Sequence, residues 1–204
     1  MLKDGSFVGK LGTVVGCSWK GKPYVRRLPV RTTPPTMGEL ANRHVFDLVN
    51  TWLKPIHEFV RLGFRNYSPM VWGVNAASSL LHKTAIHKAG FASSIDPALV
   101  QVSSGDLELP EDLQMLQEGD ALNFTWDPGS GTNKGARDRI IILAYNIELK
   151  WAKQELSGSH RYMGSHSLSL TGSPAGGFHV YVAFIAGDGS RQSDSRYMGF
   201  IIMN

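Results

Sequence analysis

The chain has 204 residues, 42% apolar and 19% charged, the balance of a globular protein that can build one large core or two small ones. Its single cysteine, Cys17, excludes an intrachain disulfide and a cysteine-based zinc site. No run approaches the roughly 20 apolar residues of a membrane span. Met1–Gly5 leads into a Gly-interrupted run without the apolar core and cleavage site of a secretory leader, so the chain is expected to be cytoplasmic as synthesised. The net charge of +4 is uneven: residues 1–35 hold seven Lys/Arg against Asp4 alone, leaving 14 basic against 16 acidic residues in the remainder. A basic end on a slightly acidic body can be self-complementary or can meet a polyanion.

In chain order, residues 7–31 read as a β-hairpin. Leu11, Thr13, Val15 and Cys17 are expected on one face and Val14 on the other, with Gly9, Gly12 and Gly16 keeping the strand slim. Trp19–Pro23 supplies the turn and Tyr24–Leu28 the return strand. Such a hairpin either folds on its own domain or adds to a neighbour's sheet through its edge. Thr32-Thr33-Pro34-Pro35 breaks the chain, and Thr36 with Glu39 has the spacing of a capping box. Ala41, Val45, Leu48, Val49, Trp52, Leu53, Ile56, Phe59 and Val60 then follow helical spacing, with Pro55 dividing the helix and Gly63 stopping it. A second helix is expected over 75–88, a strand over Leu99–Val102, and a loop-rich bridge over 105–119.

The remainder is β-rich. Leu122, Phe124 and Trp126 alternate with polar residues. Arg139–Tyr145 is a continuous β-branched run, and Phe178–Ile185 is apolar on both faces. After a turn at Asp188-Gly189 the chain returns through Arg196–Ile202, and weaker strands are expected at Leu149–Lys153 and Ser165–Leu170. Six short strands between Gly, Ser, Pro and Asp punctuation suit two packed sheets. The expected fold class is α+β. An immunoglobulin-like antiparallel sandwich over 120–204 follows a basic Gly-rich β-hairpin arm over 1–35 and a mixed helical and strand segment over 36–119.

Several segments together resemble an uncharacterised family of Bacteroidota proteins known only as a domain of unknown function. They are Gly9-Lys10-Leu11-Gly12, Trp19-Lys20-Gly21, Arg26–Pro29, Leu62-Gly63-Phe64, Asn75-Ala76, Asp138 with Tyr145-Asn146, His179–Phe184 and Ser193–Tyr197. The resemblance spans nearly the whole chain and implies one unit of arm, helices and sandwich. It implies no activity, cofactor or site residue.

The residues offer no catalytic constellation. Gly129–Gly135 fails the spacing of a phosphate loop and is followed by a strand rather than a helix. Cys17 sits in a strand pattern, without the helix N-terminus or paired histidine that would make it a thiolate nucleophile, and reads as a small buried residue. His44, His57, His82, His87, His160, His166 and His179 show no metal-binding spacing. His179 reads as a hydrogen-bonded strand residue, and Asp127, Asp138, Asp188 and Asp194 as turn-forming residues at strand ends. The sequence therefore points to a non-enzymatic assembly subunit without cofactor or metal. It self-associates through the arm, as parts of a phage-like particle or filament do. Lys10, Trp19, Lys20, Lys22, Arg26, Arg27 and Arg31 are the candidate assembly or polyanion contacts. Two rivals stand beside this. One is a glycan- or protein-binding adhesion module using the loops 129–135, 157–165 and 187–193. The other is nucleic-acid binding through the basic arm, which combines phosphate neutralisation with stacking.

Overall fold

A computed structural model describes residues 2–3, 6–30, 32–67, 72–110, 112–129 and 135–203. The chain divides into two units, Met1–Leu40 and Ala41–Asn204.

In the first unit, β1 (Leu2–Lys3) pairs with β2 (Ser6–Phe7). Three further strands, β3 (Gly9–Leu11), β4 (Val14–Trp19) and β5 (Lys22–Arg27), form an antiparallel sheet in that order. The expected hairpin is thus a three-stranded meander. Lys20 and Gly21 close β4–β5 with φ of 48° and 79°, the double positive φ of a type I′ turn. Gly12 closes β3–β4 with φ of 57°. That turn corrects the expected faces: Leu11 lies opposite Val14 and shares its face, while Val15 and Cys17 point the other way.

Helix α1 (Met37–Leu53) opens with the expected capping box. The Thr36 N–H donates to Glu39 Oε2 at 2.8 Å, and the Glu39 N–H to Thr36 Oγ1 at 3.3 Å. Pro55 breaks the helix into a 3-10 turn at Lys54–Ile56 before α2 (His57–Gly63). In an unbroken helix the Phe59 N–H would bond to the Pro55 carbonyl. Here the Gln154 amide stands between them, accepting from Phe59 N and donating to Pro55 O, both at 3.1 Å. Helix α3 (Gly73–Thr84) stops earlier than expected because β6 (Ile86–His87) and β7 (Ser94–Ile95) form a short hairpin next in the chain.

Seven strands follow. They are β8 (Gln114–Glu118), β9 (Ala121–Thr125), β10 (Arg139–Asn146), β11 (Trp151–Glu155), β12 (Ser165–Ser169), β13 (Gly176–Ile185) and β14 (Arg196–Met203). One antiparallel sheet has the order β12-β9-β8 and the other β11-β10-β13-β14. Ile140, Ile142, Phe178, Val180 and Phe184 face Leu122, Phe124, Trp126 and Leu168 of the three-stranded sheet. On the opposite side, Ile141, Leu143, Tyr145, Tyr181 and Ala183 pack under the helical residues Val49, Trp52, Ile56, Phe59 and Val60. The central strands β10 and β13 are buried on both faces, which is why they read as continuous apolar runs.

Three sequence expectations change. β8 lies inside the segment read as a bridge. Strand β11 begins at Trp151 instead of Leu149, after a turn in which Lys150 has φ of 52°. Leu99–Val102 is not a strand. Leu99 ends a 3-10 turn, and the extended residues after it bond to a loop, with Val102 N donating to Ser195 Oγ at 2.9 Å and Ser103 Oγ to Ser193 O at 2.7 Å. Gly63 packs against this segment so closely that a Cβ there would lie 2.5 Å from the Val102 carbonyl.

Candidate interaction surface

The strand register sorts the arm's side chains into two unlike faces. Residues directly opposite each other in an antiparallel pair share a face. Lys10–Val15–Arg26, Cys17–Tyr24 and Trp19–Lys22 are opposed rows, and these alternate residues occupy one side of the sheet. Three cations, Lys10, Lys22 and Arg26, therefore surround Trp19 and Tyr24, which are 69% and 43% exposed. Lys20 projects from the adjoining turn, its Nζ 6.0 Å from the centre of the Trp19 ring. No Asp or Glu occurs between Asp4 and Glu39, so no carboxylate of this sheet neutralises the face.

The other side holds Leu11–Val14–Arg27, Gly9–Gly16–Val25 and Ser18–Pro23. It is the apolar side, with Leu11 65% and Val25 61% exposed. Of the seven residues singled out from sequence, Lys10, Trp19, Lys22 and Arg26 come together on the first face and Lys20 beside them. Arg27 is on the second face, and Arg31 lies outside the described residues.

The edge of β5 is poorly suited to strand addition. Two-residue turns make Trp19/Lys22 and Leu11/Val14 hydrogen-bonded pairs, and Leu28 N continues the alternation by donating to Thr13 O at 2.7 Å. Tyr24 and Arg26 therefore bond inward to β4. The outward positions are Pro23, which has no N–H, then Val25 and Arg27. Proline and flanking charge are the devices that keep sheet edges from pairing.

Elsewhere, several of the ionisable groups singled out from sequence have structural partners. His179 Nδ1 lies 2.9 Å from Tyr197 Oη, and burial lowers the His179 pKa. His166 Nδ1 accepts from Ser159 N at 3.1 Å, and burial lowers its pKa too. Asp127 and Asp188 accept from the backbone N–H two residues on, as turn-forming residues do. Asp194 instead receives the Gly105 N–H and the Ser104 hydroxyl. Asp138 departs from the turn-forming expectation. It is buried, its Oδ2 3.4 Å from Arg161 Nε, and burial raises its pKa against the pull of that guanidinium. Cys17 is half-buried on the cationic face, not fully buried as expected. Among the described residues no cluster of three His, Cys, Asp or Glu could hold a metal. Of the loop 129–135, residues 130–134 lie outside the described residues. Beside the 187–193 loop, a shallow polar cleft involves Asn66, Asp106, Arg191 and Asp194. Asp106 is tied to Arg191 at 2.9 Å, and Asn66 Nδ2 donates to the carbonyls of Gly189 and Ser190. No helix of the described residues is long and apolar enough to cross a membrane.

A family model described as a family of unknown function, DUF6266, matches residues 6–199. The chain belongs to that family. The match takes in the three-stranded N-terminal sheet and nearly all of the second unit, so arm and body are parts of one DUF6266 unit. No curated protein matches the chain.

Sequence reasoning missed the division of the arm into faces. Its signal was available in part: Gly12-Thr13 and Lys20-Gly21 are two-residue spacers, and fixing both turns fixes which residues oppose each other.

Proposed function

We propose that this DUF6266 chain is a non-enzymatic assembly subunit whose N-terminal sheet docks, by its apolar face, on a second copy. One observation carries this reading. Among the described side chains of Met1–Leu40 none is buried, the only buried residue being Gly16. A sheet of this size without a covered apolar face has no core of its own and gains its stability from what it packs against. The charge balance is compatible with another copy as that partner. Residues 1–40 carry seven Lys/Arg against Asp4 and Glu39, whereas residues 41–204 carry 14 against 15 acids.

The blunted β5 edge favours face-on packing of Leu11, Val14 and Val25 over strand donation. An arm that docks on a different surface of the next copy makes a head-to-tail contact, the kind that closes into rings or runs on as filaments or particle shells. The body serves as scaffold. Its strand orders support the immunoglobulin-like reading. Counted from β8, strands one, two and five form one sheet and three, six and seven the core of the other, while the fourth joins the latter as in variable-type domains. An adhesion role through the end loops is less well supported, because the polar groups of the cleft bond to one another.

Sedimentation velocity of the full chain and of a chain lacking residues 1–31 tests the proposal. Concentration-dependent association of the full chain, lost on truncation, is the expected result. A full chain that stays monomeric, or association that survives truncation, overturns it.

A further inference from the structure

We propose that the opposite, cationic face of the N-terminal sheet binds single-stranded nucleic acid, with bases stacking on Trp19 and Tyr24 and phosphates held by Lys10, Lys20, Lys22 and Arg26. Trp19 lies opposite Lys22, and Tyr24 is two residues beyond Lys22 on β5, so the two rings are diagonal neighbours. Diagonal positions are ~7–8 Å apart, close enough for neighbouring bases of one strand to use both rings. An exposed aromatic on a sheet is common, but two adjacent ones among four cations, on three strands whose sequence contains no acid, is the combination that single-strand binders use: a charged track beside a stacking platform. Stacking requires unpaired bases, which selects a single strand over a duplex.

The competing occupant is an acidic surface of another copy. Residues 105–127 contain seven Asp/Glu and no Lys/Arg. Of these, Asp106 is already paired with Arg191 at 2.9 Å, and an acidic protein surface gives Trp19 and Tyr24 no planar partner. The nucleic-acid site does not depend on self-association, because the apolar contact uses the other side of the sheet. The two faces can act together.

The test is fluorescence anisotropy of a labelled oligo(dT) of about 16 nucleotides with the full chain across a salt series. With four cations on a single strand the salt slope should be about −3, an affinity loss of about 50-fold between about 50 and 200 mM salt. Trp19→Ala and Tyr24→Ala should each weaken binding by about 5- to 150-fold at an unchanged slope, and Trp19→Phe should retain most of it. Lys22→Gln with Arg26→Gln should lower the slope by about 1.4. The same variants are followed by sedimentation. No anisotropy change, or affinity indifferent to both aromatics and matched by heparin, overturns the proposal. So does loss of self-association in Lys22→Gln/Arg26→Gln with oligo(dT) binding intact, which would give this face to a second copy. Leu11→Ser/Val25→Ser separates the two ideas, because it should impair self-association and leave oligo(dT) affinity unchanged.

Discussion

Replacing Leu11 and Val25 together by serine removes the two most exposed aliphatic side chains on the apolar face of the arm. Complete burial of such a side chain contributes about 1.5–3 kcal/mol. Leu11 is 65% and Val25 61% exposed, so a contact that covers both gains roughly two thirds of that from each, about 2–4 kcal/mol in total. The dissociation constant for self-association should therefore rise by about 30- to 700-fold. Neither side chain is buried within the chain, so the fold should keep its melting temperature within a degree or two, and the loss should appear only in association. Sedimentation velocity over a wide concentration range reads the shift directly, with Arg27→Gln on the same face as a control for charge. If the double variant associates as the parent does while deletion of residues 1–31 abolishes association, the apolar face is not the contact, and the arm must act through its other side or its edge.

Two further perturbations probe the body. Tyr145 is fully buried, its hydroxyl donates to Trp52 O at 3.0 Å, and burial pushes its pKa from 10.0 up to about 12. A group with a raised folded pKa contributes stability that is intact below pH about 10 and is lost as pH rises through about 12, here about 2–3 kcal/mol. Tyr145→Phe should therefore flatten the decline of denaturant stability between those values, and an identical decline would refute it. Asp138 faces Arg161 at 3.4 Å in a buried setting, and Arg161 also stacks 4.7 Å from the centre of the Phe184 ring. Asp138→Ala leaves a buried guanidinium without its acid and should cost about 3–5 kcal/mol by urea unfolding. The double change Asp138→Ala/Arg161→Met should recover much of that loss, and no recovery would show that the pair is not what the single change breaks.

Much of the fold was legible because local rules agreed with the tertiary outcome. Thr36 and Glu39 cap α1, Pro55 divides it, and the alternation of Leu122, Phe124 and Trp126 marks a strand with one face inward. Strand β8 was not legible, because its inward positions are Met115 and Gln117. The Gln117 amide donates to Ile202 O at 2.9 Å, so a polar residue occupies a place where periodicity looks for an apolar one. Val100 and Val102 misled for the opposite reason. They are buried like strand residues, yet their segment bonds to side chains and loop groups around Ser193–Ser195, and no pattern in the sequence distinguishes the two. The arm's charges were visible at once. Their assignment to one face needed the register, which a single misplaced turn at Gly12-Thr13 inverts for Leu11.

The two units differ in how their side chains are covered. The central strands β10 and β13 of the four-stranded sheet are covered on both faces, and several polar groups at irregular points of the body have partners. Gln154 bridges the helix break, Ser103 bonds to the Gly63 and Ser193 carbonyls, and Tyr181 donates to Pro97 O at 2.7 Å. The N-terminal sheet is the reverse case, with aliphatic side chains open on one side and aromatics among cations on the other. Solvent alone would select against both, since exposed Leu11, Trp19 and Val25 invite aggregation and uncompensated Lys and Arg repel one another. Under the two proposals above, the apolar face meets a second copy and the cationic face a single strand, and a subunit using both faces would organise copies of itself along a nucleic acid.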